Sequence, residues 1–185
     1  MSFAKAYFIS LIVYIVLNLA FTLIFYMLMG ASELFFAGFT NFSFIGFALF
    51  GSIIFTPTLN VFMLTILVAM GSAMPAQAGN YVLAITILFI GYFITQIVSS
   101  FVAGRNSESR GGAFGAWLLT SFTCGILLLL FMISGEYASV GLLTSSAIFF
   151  GGTLNFLILI ILLACLINGI FYGCIALLAL KSIKL

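Results

Sequence analysis

Charged residues are nearly missing from this chain, and their absence limits its fold more than any motif does. The 185 residues include five Lys or Arg, three Asp or Glu and no His, while 65% are hydrophobic. Soluble domains carry roughly a quarter charged residues and keep most of them on the surface. A chain this poor in charge cannot cover a water-facing surface, so we predict that lipid surrounds it.

The same inventory removes most catalytic and metal-binding chemistry. His and Asp are absent, and Glu33, Glu108 and Glu136 are the three carboxylate side chains. The commonest general base and the commonest metal ligand are therefore missing. Glu33 and Glu136 could form a two-carboxylate site only within about 10 Å of each other. We expect a protein that is not an enzyme, without a metal and with no cofactor other than bound lipid.

Cysteine usage and net charge exclude further classes. Cys124, Cys165 and Cys174 lie inside apolar runs, and an odd number of such residues predicts packing rather than a disulfide framework. The net charge of +2 is too small to predict a nucleic-acid partner.

The apolar runs predict the helices, since about 20 apolar residues span a bilayer as a helix. Four runs are clear: 6–29, 81–103, 112–134 and 153–180. The stretch 34–74 is also apolar, but Thr56-Pro57 fits a helix start because Thr caps well and Pro suits the first turn. It then divides into helices 34–55 and 57–74.

We therefore predict an all-α, polytopic transmembrane bundle in which residues 1–185 form one integral membrane domain. Six helices are favoured. Two alternatives remain open for 34–74: a re-entrant hairpin beside four spans, or one Pro-kinked helix that makes five.

Orientation follows from the cations, because positive residues near helix ends stay in the cytoplasm. With six spans, or with four and a hairpin, all five cations share one side: Lys5, Arg105, Arg110, Lys181 and Lys184. Five spans would place Lys5 on the other side. The chain is thus expected to be a multi-pass protein of the cell membrane, with both termini cytoplasmic and with Glu33 and Glu136 outside.

Small residues mark the expected helix contacts, because in lipid they let helix backbones approach closely. Two GxxxG pairs and one stripe of small residues stand out. They are Gly111 with Gly115, Gly169 with Gly173, and the stripe of Gly91, Thr95 and Ser99. We interpret them as packing within the chain rather than as homodimer contacts.

Four carboxamide side chains lie well inside the predicted spans, and two more lie nearer the ends. The first four are Asn18, Gln96, Asn155 and Asn168, and the other two are Asn60 and Gln77. A buried amide needs a hydrogen-bond partner. Either these side chains bond from helix to helix, or they converge on one cavity that takes a small solute. Gln96 stands beside Thr95 of the stripe and Asn168 beside Gly169, which suits helix contacts.

Two functions follow from these observations. The favoured one is a non-catalytic structural or accessory subunit, which packs against other membrane chains in a larger complex or oligomer. Its partners would be the lipid bilayer and those subunits. The alternative is a small-solute transporter, or a substrate-binding membrane subunit, with a neutral polar cavity. The lack of charge inside the spans favours the first, since ion-coupled transporters use intramembrane charges.

Overall fold

A computed structural model describes residues 3–73, 79–134 and 154–180, and these ranges form helices joined by short turns, with no strand. They contain seven α-helices: α1 (Phe3–Leu28), α2 (Ser32–Gly38), α3 (Phe42–Phe50), α4 (Pro57–Ala73), α5 (Gly79–Arg105), α6 (Arg110–Ser134) and α7 (Leu154–Ala179). A 3-10 turn over Gly51–Ile54 extends α3. α4 begins at Pro57, where the sequence predicts a helix start.

Within the described ranges, four helices are long and apolar enough to cross a membrane: Phe3–Leu28, Asn80–Arg105, Arg110–Ser134 and Ile158–Ala179. A fifth crossing is counted only if α2 and the stretch Phe42–Ile54, which bend by 113° to each other, are taken as one span. The all-α polytopic bundle is therefore confirmed, whereas the favoured count of six spans is not.

Both described ends of the chain lie at the same end of the bundle. A Cβ placed on Gly115, in the second turn of α6, would lie 3.2 Å from the ring of Phe3. Gly104, next to the last residue of α5, contacts the backbone of Ala176 near the end of α7. The same-end placement requires an even number of crossings, as four spans provide.

The described charges are divided between the two ends. Lys5, Arg105 and Arg110 stand at the end where α1 begins, α5 ends and α6 begins. Glu33 follows the far end of α1, after a turn at Gly30 whose φ of +66° suits glycine. Lys181, Lys184 and Glu136 lie outside the described residues.

The bundle faces its small and polar residues inward. Every fourth residue of α1 is buried: Ala6, Ser10, Tyr14, Asn18 and Thr22. That spacing keeps one face of a helix towards its neighbours, and the opposite face exposes Phe8 and Ile12. Polar residues inside and apolar residues outside are what lipid solvation favours.

Trp117 fills the centre of the bundle. Its side chain is fully buried, with its ring 6.4 Å from that of Tyr14 in α1 and 6.1 Å from that of Tyr172 in α7. Its indole Nε1 donates a hydrogen bond to the backbone oxygen of Asn168 (3.1 Å). One side chain thus joins three long helices.

The predicted helix 34–55 is interrupted, which corrects the sequence interpretation. α2 ends at Gly38, and α3 begins after Asn41. The side chain of Asn41 accepts hydrogen bonds from the backbone nitrogens of Ser43 (2.8 Å) and Phe44 (3.3 Å). A short polar side chain that caps the backbone in this way starts a new helix, and hydropathy alone gives no sign of it.

α3 enters the bundle from the end that holds Glu33. Gly46 packs on Phe131, close to the far end of α6, and Phe50 lies 6.2 Å from the same ring. The following 3-10 turn reaches the middle of α7, where Asn168 bonds to Ile53 (2.7 Å). The segment goes no deeper into the bundle and does not reach the end that holds Arg105.

α4 turns back from that depth. Phe55 packs against Phe89 and Tyr92 of α5, with ring centroids 4.9 and 5.2 Å apart. Met63 and Leu64, further along, pack against the same two rings. Residues 42–66 are called the re-entrant segment below. Among the predicted arrangements, four spans with a re-entrant hairpin agree with these contacts.

Candidate functional site: a carboxamide cluster at a helix break

The re-entrant segment breaks its helix inside the bundle, where backbone carbonyls need partners. Regular helix ends at Ile54, and α4 starts at Pro57. The last carbonyls of a helix have no partner within it, and the hydrocarbon region contains no water to replace one. The carbonyls of four residues near this break accept hydrogen bonds from side-chain amides: Leu49, Ser52, Ile53 and Phe55.

The donors come from three of the long helices and from α4, and we call them the carboxamide cluster. They are Asn18 Nδ2 to the Leu49 oxygen (2.9 Å), Gln96 Nε2 to those of Ser52 (2.7 Å) and Phe55 (3.0 Å), Asn168 Nδ2 to that of Ile53 (2.7 Å), and Asn60 Nδ2 to that of Phe55 (3.3 Å). All four side chains are fully buried. Three of the four amides predicted to lie inside spans therefore meet at one place.

Two of the amides named from the sequence, Asn155 and Gln77, have side chains that are not placed by the structure. The side chain of Asn155 lies outside the described residues, as does Gln77. Asn60, which lies near the end of its predicted span, belongs to the cluster instead.

The orientation of the amides leaves their oxygens free. Each amide nitrogen faces a carbonyl oxygen, so each amide oxygen points elsewhere. Among the described residues, the side-chain oxygens of Asn18, Asn60, Gln96 and Asn168 are buried and have no hydrogen-bond partner. A buried acceptor without a partner costs about 1–3 kcal/mol, and such atoms are where ordered water or a ligand is expected.

The cluster lies near the middle of the membrane. Gln96 precedes Arg105 by nine residues, and Asn168 precedes Ala179 by eleven. At 1.5 Å per residue these are about 14 and 17 Å, roughly half of a hydrocarbon core about 30 Å thick.

Tyrosines accompany three of the carboxamides. Each stands one helical turn away on the same helix: Tyr14 with Asn18, Tyr92 with Gln96, and Tyr172 with Asn168. All three are fully buried. Ser52 of the break donates to the Tyr14 hydroxyl (2.5 Å), the Tyr92 hydroxyl faces Thr22 of α1, and the Tyr172 hydroxyl has no partner in the described part of the chain. These tyrosines were not among the predicted site residues, although a Tyr four positions before or after a carboxamide occurs in all three helices.

The predicted stripe on α5 faces α1. A Cβ on Gly91 would overlap the ring of Phe21, and the backbone oxygen of Ser99 accepts a hydrogen bond from Ser10 (3.0 Å). Thr95, between them, is fully buried. The stripe therefore lies between two long helices of the same chain.

The two GxxxG pairs are placed differently. A Cβ on Gly169 would lie 2.5 Å from Leu118, and one on Gly173 would lie 2.6 Å from the ring of Phe114. This pair therefore lies at the contact between α7 and α6. Gly115 faces Phe3, and Gly111 has no atom within 4 Å of its Cβ position. Gly111 therefore packs against nothing in the described chain.

Two closer contacts involve glycines that the sequence analysis did not select. A Cβ on Gly104 would overlap the carbonyl oxygen of Ala176, and one on Gly125 would overlap the sulfur of Cys165. Ser100 and Ser121 stand four residues before these glycines. A search for any two small residues four apart, rather than for GxxxG, would have found both.

The charged candidates contribute nothing to the cluster. Lys5, Arg105 and Arg110 are exposed at one end of the bundle. Glu136, half of the two-carboxylate idea, lies outside the described residues. Among the residues that the structure describes, no three His, Cys, Asp or Glu side chains form a group able to hold a metal ion.

Four long helices around a re-entrant segment, with an uncharged polar cluster at its break, define a multi-pass helical membrane protein. No protein-family model, curated protein or solved structure matches this chain.

Proposed function

We propose that this protein binds a small polar solute within the membrane, either as a transporter or as the solute-binding membrane subunit of one. One observation carries the proposal: four buried carboxamides from different helices converge on a helix break, and each has an oxygen without a partner. Helix breaks near the midplane are where membrane transporters form their binding sites, because irregular backbone at that depth must be buried in protein or line a cavity.

Recognition in such a site would depend on hydrogen bonds and dipoles. The charged residues of the described ranges are Lys5, Glu33, Arg105, Glu108 and Arg110, all near helix ends. Proton relays and many ion-coupled pumps use charged groups inside the membrane. The proposed activity is therefore binding or facilitated passage of the solute, without coupling to an intramembrane carboxylate.

Solute flux into liposomes tests this proposal. The full chain is reconstituted, and stopped-flow light scattering follows volume recovery with urea, glycerol or methylammonium as the probe. We expect faster recovery than in protein-free liposomes for at least one probe, and a loss of that gain in Gln96→Leu. Asn106→Ala is the matched control, because Asn106 also donates to a backbone carbonyl (Val102, 2.8 Å) but stands in the polar loop.

Binding without transport is measured in parallel. A bound solute raises the unfolding temperature in proportion to its occupancy, so the same probes are added to the detergent-purified chain. If no probe changes either the flux or the unfolding temperature, the proposal is wrong. Circular dichroism shows whether Gln96→Leu retains its helices, so that lost flux is not confused with lost structure.

A structural or accessory role is the second candidate, supported by the outward surface. Large apolar side chains are exposed on α1, α5 and α7, including Val16, Leu83 and Leu163. In a bilayer such faces suit lipid or the helices of a partner chain. Native mass spectrometry after gentle detergent extraction separates the two: a partner chain in constant ratio supports the accessory role, and a lipid-solvated monomer contradicts it.

A further inference from the structure

Resting on the proposed solute-binding function, we infer that the carboxamide cluster takes a small monovalent cation, either ammonium or an alkali ion, because its amide nitrogens all face the protein backbone and its amide oxygens are left without partners.

The hydrogen bonds around the break support this polarity. The Ser52 oxygen accepts from Gln96 and from the backbone nitrogen of Phe55 (3.1 Å). The Phe55 oxygen accepts from Gln96 and from Asn60. A carbonyl oxygen has two lone pairs, so both of these acceptors are filled. The four side-chain oxygens are left without a partner and can accept a hydrogen bond or coordinate a cation, while Asn18, Asn60 and Asn168 each use one of their two N–H donors in these bonds.

The break also presents the negative end of a helix. α3 and its 3-10 turn end at the cluster, and a helix C-terminus carries roughly half a negative charge. Lys5, Arg105 and Arg110 stand at the end of the bundle, so no described cation offsets this potential locally. α4 begins on the other side of the break, at Pro57, and its positive end offsets part of this potential. The preference for a positive ligand therefore rests on the four unpartnered amide oxygens.

The chemistry is of a kind that membrane proteins use for cations. Selectivity filters replace the hydration shell of an ion with protein oxygens, and half-helix C-termini with unwound carbonyls coordinate cations in transporters. The Tyr172 hydroxyl, which has no partner among the described residues, adds a further group that can turn an oxygen towards a cation. No carboxylate is required for this type of site.

Trp117 provides a direct test. It is the one Trp in the chain, it is fully buried, and it donates to the backbone of Asn168, so its fluorescence reports on the cluster. The full chain in nanodiscs is titrated with ammonium, sodium or potassium chloride, against choline chloride at equal ionic strength. We expect a saturable fluorescence change and a rise in unfolding temperature with at least one small cation, and neither with choline.

Three other outcomes would each contradict the inference. Equal responses to choline and to the small cations would show an ionic-strength effect and overturn the inference. Responses to urea or glycerol without any to the cations would overturn it and leave the solute-binding function standing. No response to any probe would reject both, with water as the occupant of the cluster.

A variant assigns the signal to the cluster. Gln96→Leu removes one of the four oxygens and should weaken the cation titration at least several-fold, whereas Asn106→Ala should leave it unchanged. If Gln96→Leu does not fold, the wild-type titration against choline still decides the inference. An unchanged titration in folded Gln96→Leu would place the cation elsewhere and contradict it.

Discussion

At the scale of single residues, the carboxamides supply hydrogen-bond donors to the backbone carbonyls exposed at the helix break. Each donates its nitrogen to a backbone carbonyl at or near the break, and some of these bonds join residues far apart in the sequence: Asn168 and Ile53 are 115 positions apart. The sequence predicts that amides within spans need partners. It does not predict that the partners are backbone oxygens, because the break that exposes them is itself a tertiary feature.

Gln96→Leu should lower the free energy of unfolding by about 1–3 kcal/mol, since two buried hydrogen bonds are lost and the Phe55 oxygen is left with a single donor. Denaturant unfolding in mixed micelles measures this. Asn106→Ala should change the free energy by less than about 0.5 kcal/mol, because water replaces its bond in the polar loop. Equal effects of the two substitutions would contradict a buried role for Gln96.

Gly104→Ala and Gly111→Ala make the same chemical change in opposite surroundings. The new methyl group at 104 would overlap the Ala176 backbone, which cannot move like a flexible side chain, so a loss of about 1–3 kcal/mol is expected from overpacking. At 111 nothing lies within 4 Å, and Ala should be neutral or stabilising by up to about 1 kcal/mol through helix propensity. Thermal unfolding of both variants tests the contrast; a harmless Gly104→Ala would mean that α5 and α7 are further apart.

At the scale of elements, hydropathy predicts the four long helices well, because a helix in lipid must satisfy its own backbone. The start of the shorter helix α4 also follows from a local signal, Thr56-Pro57, where Thr56 Oγ1 accepts from the backbone nitrogen of Leu59 (3.4 Å). The interval 34–55 is the exception. Its apolar side chains suit one helix, while the cap at Asn41 starts another.

Asn41→Ala should loosen the start of α3, because the nitrogens of Ser43 and Phe44 lose their acceptor. Loss of an N-cap costs about 1 kcal/mol. Hydrogen exchange by mass spectrometry should show faster exchange in residues 42–50 and an unchanged rate in α6. Asn41→Ser, which retains a capping oxygen, should restore most of the protection; equally fast exchange in both variants would argue against the cap.

At the scale of the whole molecule, the position of the charges and the depth of the break decide the topology. The sequence places the cations on one side, and the structure brings Lys5, Arg105 and Arg110 to one end of the bundle. Neither the positions of the cations nor the placement of Lys5, Arg105 and Arg110 requires residues 34–74 to cross the membrane. That question depends on Gln96 and Asn168, which hold the 3-10 turn at mid-depth.

Cysteine labelling distinguishes a re-entrant segment from two full crossings. In a background without the native cysteines, a membrane-impermeant maleimide should label Ser109→Cys from one side and Glu33→Cys from the other. Thr56→Cys should stay unlabelled from the side of Ser109, because the break lies near the membrane centre. Labelling of Thr56→Cys together with Ser109→Cys would establish six crossings and contradict the re-entrant segment.

The sequence by itself determined that this protein is a helical membrane protein and where its four long spans lie. Those properties are local, because lipid acts on each segment separately through its hydropathy and its own backbone. Only the tertiary structure decided that α3 and its 3-10 turn end inside the bundle and that Asn18, Asn60, Gln96 and Asn168 meet there. A break in a helix is stable within a membrane only when distant side chains supply its hydrogen bonds, and no single segment carries that information.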